Sequence, residues 1–170
     1  MKHYAACLVL ILAATTAMAQ QVDTRTLDIT GRITDGEKKL AGCEVIVYDG
    51  NDVVGTQVTD KNGRFGLGLG LQEEFAIVFQ KEGFIPKRML VDTRAKIPIE
   101  LQHLVPMDLE MSMLPASKYE GADTDVLDFP FAIIKWNRQL LAFAQDQQYT
   151  AGMMRANGAA LLQAGRSVKH

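Results

Sequence analysis

The chain predicts a mainly β protein, a β-sandwich of seven strands followed by a partly helical C-terminal extension. From Thr26 to Met113 short apolar alternations recur between polar and glycine-containing clusters, the spacing of hairpins in a sandwich. Asp60-Lys61-Asn62-Gly63 reads as a tight turn in which Asn-Gly accepts positive φ. It launches a strand whose Phe65, Leu67, Leu69 and Leu71 alternate with Gly66, Gly68 and Gly70. After Met113 the two-residue period is lost, and apolar residues later return at spacings of three and four.

Residues 1–19 read as a secretory signal peptide: Lys2 is a short positive region, Tyr4 to Thr16 an apolar run, and Ala17-Met18-Ala19 a cleavage signal before Gln20. That run is shorter than a bilayer-spanning helix, and no later segment approaches the roughly 20 apolar residues a span needs. The expected protein is therefore exported and has no transmembrane segment. Cleavage takes Cys7 and leaves Cys43 alone, which excludes an internal disulfide. At a small-residue position beside Val45 and Val47, Cys43 reads as a buried, inert thiol. Loss of Lys2 leaves 17 basic residues against 20 acidic ones, a balance of −3 with no basic stripe, which argues against a nucleic-acid partner.

The expected sandwich spans residues 26–113, with strands at Leu27 to Ile33, Cys43 to Tyr48, Val53 to Thr59, Arg64 to Leu71, Phe75 to Gln80, Lys87 to Val91 and Val105 to Met113. In the last of these Val105, Met107, Leu109, Met111 and Met113 share the core face. Ile97 to Leu101 is a candidate further strand, confined by Pro98 to an edge or bend. Residues 114–125 read as a linker and 126–170 as the extension. Within it Pro130 either opens a helix capped by Asp128 or sits in an extended segment clamped onto the sandwich. The apolar density from Phe129 to Trp136 favours the clamp. A helix is expected near 146–164, where Tyr149, Met153, Ala156, Ala160 and Leu161 recur, with Gly165 ending it.

Catalytic, cofactor and metal sites are all expected to be absent. With His3 removed, His103 and His170 remain, and neither an H-E-x-x-H pair nor a G-x-S-x-G elbow exists. Two acidic clusters, Glu120, Asp123, Asp125 and Asp128, and Asp49, Asn51 and Asp52, lack the calcium-loop pattern and read as solvated turns. The candidate partner-binding residues are Phe129, Phe131, Trp136 and Tyr149, together with the bare strip of Gly66, Gly68 and Gly70. That strip is open to three readings: cover for the chain's own tail, loose sheet surface, or a partner site. Trp136 either pins the tail or contacts a ligand.

The order of motifs carries a resemblance. Ile29-Thr30-Gly31-Arg32-Ile33, Leu40-Ala41-Gly42-Cys43-Glu44-Val45, Thr59-Asp60-Lys61-Asn62-Gly63-Arg64-Phe65 and Lys81-Glu82-Gly83-Phe84 together resemble the carboxypeptidase regulatory-like domain, a transthyretin-like sandwich, over about half of the chain. Phe129-Pro130 and Phe143 to Tyr149 are similar to the tails of such proteins in Bacteroidetes-type envelopes. The resemblance implies a seven-stranded prealbumin-like Greek-key sandwich. It also implies a non-enzymatic interaction or accessory module for a protein partner in an envelope assembly, such as an outer-membrane complex. Its place would be the periplasm, the periplasmic face of the outer membrane or the exterior. The alternative is a carbohydrate-binding module. Enzymatic relatives of this sandwich use several histidines and a C-terminal tetrapeptide, or paired tyrosines and histidines on iron, and the chain matches neither pattern.

Overall fold

The computed structural model describes residues 23–167, so the expected signal peptide lies outside the described residues. The strands are β1 (Thr26–Thr34), β2 (Glu44–Asp49), β3 (Asp52–Val58), β4 (Arg64–Gly70), β5 (Glu74–Gln80), β6 (Lys87–Asp92), β7 (Met107–Ser112), β8 (Ala132–Asn137) and β9 (Ala142–Gln145), followed by one helix, α1 (Gln147–Ser167). They form two sheets, ordered β4-β1-β7 and β3-β2-β5-β6-β8-β9. The core lies between the sheets, because alternate residues of each strand point inward. Leu27, Ile29 and Ile33 of β1, Phe65 and Leu69 of β4, and Leu109 and Met111 of β7 face Val45 and Val47, Phe75, Ile77 and Phe79, and Met89 and Val91.

The seven strands expected from the alternation are present, and the extension adds two more. β8 runs parallel to β6, with Met89 opposite Ala132 and Val91 opposite Ile134, and β9 returns antiparallel to it. The extended alternative for Pro130 is the one the chain adopts. Ala132, Ile134 and Phe143 belong to the same core as the first seven strands. Trp136 packs edge-on against Phe143, at 5.4 Å between ring centroids.

Four expectations are corrected. β7 starts at Met107, and Val105 is 61% exposed, because Pro106 can donate no ladder hydrogen bond. Ile97 to Leu101 forms a turn instead of a strand, held by the Arg25 guanidinium donating to the carbonyls of Pro98 and Leu101 at 3.0 and 2.7 Å. The segment read as a linker is fastened to the sandwich. Ile85 N–H donates to Leu114 O and Ala116 N–H to Gly83 O, and two 3-10 turns follow at Ala116–Tyr119 and Asp125–Asp128, with Tyr119 buried. Finally, α1 passes through Gly165 to Ser167.

Candidate docking cleft

Helix α1 is launched by Asp146. Its Oδ1 accepts the backbone N–H of Tyr149 at 3.1 Å, the side-chain cap of a helix start, while Oδ2 accepts Lys135 Nζ of β8 at 2.7 Å. The lysine hydrogen bond and then the Tyr149 amide hold the Asp146 carboxyl below its usual range. The cap fixes the helix start beside the β8–β9 hairpin. From there α1 packs against both 3-10 turns. Tyr119 Oη of the first turn donates to Asn157 Oδ1 at 2.6 Å, and Tyr149 Oη donates at 2.8 Å to the carbonyl of Pro130, two residues past the second. Burial raises the pKa of both phenols.

Between α1, the turns and the start of β6 lies a cleft of about 80 Å³. Its walls are Ile85 to Arg88, Leu114, Tyr119, Val126, Leu127, Phe131, Thr150, Met153 and Asn157, with Phe129 and Met154 at the rim, 61% and 70% exposed. Lys87 stands with its Nζ 5.5 Å above the Phe131 ring, and burial pushes its pKa down. Phe131 in turn meets Phe79 of the core at 6.4 Å. Thr150 is only 9% exposed, and its hydroxyl has no hydrogen-bond partner among the described residues.

The structure brings Phe129 and Phe131 together in this cleft and sets Tyr149 beside it, bonded to the Pro130 carbonyl. Trp136 is not among the lining residues and is half-buried against Phe143. Gly66, Gly68 and Gly70 lie apart on the solvent face of β4, opposite Thr30, Asp28 and Thr26. The tail does not cover them, since it extends the other sheet; a Cβ at Gly66 would meet nothing within 4 Å. Gln57 of β3 instead clips this edge, its Nε2 donating to Gly66 O at 2.6 Å. Lys87, Arg88, Thr150 and Met153 were not anticipated as site residues. Lys87 carries no sequence signal, because its place follows from the pairing of β6 with β5. Thr150 and Met153 share one helix face at a spacing of three, a pattern equally suited to ordinary packing.

Cys43 is buried with Met113 Sδ 3.3 Å from its Sγ, and burial pushes its thiol up to about 11. Among the described residues no group of three or more His, Cys, Asp or Glu side chains converges, and no helix is long and apolar enough to cross a membrane.

No family model matches the chain, and no curated protein matches it. Among solved structures, 3-chlorocatechol 1,2-dioxygenase from Rhodococcus opacus is similar at 15% identity and TM-score 0.41, over 58% of this chain and 63% of that one. A DUF3823 family protein from Parabacteroides merdae aligns at 16% identity and TM-score 0.39, over 55% and 48%. The major pilin subunit of Bacillus cereus aligns at 19% identity and TM-score 0.36, over 54% and 31%. The chain thus spans less than two thirds of the length of each of these neighbours.

Proposed function

We propose that this chain is an exported, non-enzymatic sandwich of the carboxypeptidase regulatory-like type that docks a protein partner in a bacterial envelope assembly. The cleft under α1 carries the reading: large apolar side chains, Phe129 and Met154, stand in water around an apolar hollow, the usual mark of an interaction site. Groups able to do chemistry hold structural positions instead. The Tyr119 and Tyr149 hydroxyls are committed to Asn157 and Pro130, and the Cys43 thiol is buried and kept protonated.

Affinity purification of the tagged protein from envelopes, side by side with a Phe129→Ala/Met154→Ala variant of unchanged melting temperature, tests this. The expected result is a defined set of companions that the wild type retains and the variant loses. Identical companions for both would remove the cleft from the docking role. Retention of a polysaccharide, lost on Trp136→Ala, would instead favour a carbohydrate-binding module.

A further inference from the structure

We propose that the cleft receives one large apolar side chain from a partner-protein segment whose neighbouring residues are acidic. The apolar group enters between Tyr119, Phe131 and Met153, and the carboxylates meet Lys87 and Arg88. This rests on the docking reading above and gives the partner its chemistry.

Size sets the first condition. A hollow of about 80 Å³ is the size for one side chain to fill. Charge sets the second. Lys87 and Arg88 both line the cleft, which has no Asp or Glu in its walls, and neither makes an ion pair among the described residues. Asp128 shares the adjoining groove with both cations and pairs with neither. Lys87 sits over an aromatic ring and is largely withdrawn from water, so an arriving carboxylate finds an ammonium already stripped of much of its hydration. The Thr150 hydroxyl, nine-tenths buried and unpartnered among the described residues, can bond an occupant's peptide group. Finally, a small molecule filling the hollow would leave Phe129 and Met154 in water, whereas a polypeptide crossing the rim covers them.

The test is selection of a random peptide library displayed on phage against the full mature chain, followed by binding measurements on the enriched peptides. Enriched sequences should carry Phe, Leu, Met or Trp with Asp or Glu close by. Their affinity should fall roughly tenfold on Lys87→Met/Arg88→Gln, a pair that keeps the aliphatic stems, and should weaken with salt. Apolar peptides without acidic bias, lost on Phe129→Ala but indifferent to the charge variant, would overturn carboxylate recognition and leave the docking reading standing. No enrichment, or binding that survives Phe129→Ala/Met154→Ala, would overturn both.

Discussion

At Gly31 and Gly63 a side chain has nowhere to go, and the two positions explain why the turn and strand motifs are written as they are. Gly63 ends the Asp60-Lys61-Asn62-Gly63 turn at φ +70°, and a Cβ there would lie 2.3 Å from Ile33 O. Asp60 Oδ1 closes the same turn by accepting the amides of Asn62 and Arg64, both at 2.8 Å. Gly63→Ala combines left-handed strain with a backbone clash, so it should cost about 2 kcal/mol or more, measured by urea unfolding. Gly31 has ordinary strand geometry, but the Phe65 ring lies where its Cβ would stand, 2.5 Å away. That ring then reaches Phe79 edge-on at 5.4 Å across the core. The turn glycine was legible because Asn-Gly has a local backbone cause. The role of Gly31 was hidden, since it depends on Phe65, which pairs with it from another strand.

At the scale of elements, the expected strands emerged close to their bounds because the two-residue period is a direct imprint of a half-buried sheet. The extension was harder. Phe129 to Trp136 is dense in large apolar groups, which calls for cover without naming the strand that provides it, and the added β8 is settled only by its pairing with β6. Asp146 joins this strand to the helix, taking Lys135 on one oxygen and the Tyr149 amide on the other. Its folded pKa lies below the ordinary 3.8. A depressed carboxylate stabilises the fold above its unfolded pKa and loses that contribution as pH falls through the lower, folded value. Asp146→Asn should therefore lower the melting temperature at neutral pH. The gap between variant and wild type should narrow below about pH 4. Thermal melts across that interval check it.

Taken as a whole, the molecule is a single sandwich completed by its own tail, which places the extension inside the core and not beside it. Ile134 is fully buried between the sheets, so Ile134→Ala should cost about 2–5 kcal/mol, while Ile99→Ala, at an exposed turn, should stay within about 0.5 kcal/mol. Chemical denaturation of the two variants separates them. Truncation after Pro115 removes Ala132, Ile134 and Phe143 together and uncovers the β6 edge, so the remaining chain should melt earlier and be less soluble. Equal stability and solubility of the truncated chain would mean that β8 and β9 contribute nothing to the first seven strands.

The sequence by itself determined the sandwich class, the strand periods and the turn after β3, because these follow from contacts a few residues apart. It also marked Phe129 and Phe131 as residues in need of cover or company, since side chains of that size seldom crowd an exposed tail. Only the tertiary structure decided that the tail extends the sheet of β6, that the glycine strip of β4 is left bare, and that Lys87, Arg88 and Thr150 meet those phenylalanines in one cleft. Arg88 and Thr150 stand more than sixty positions apart in the chain. Long-range strand pairing and helix docking bring them together, and no local periodicity encodes either.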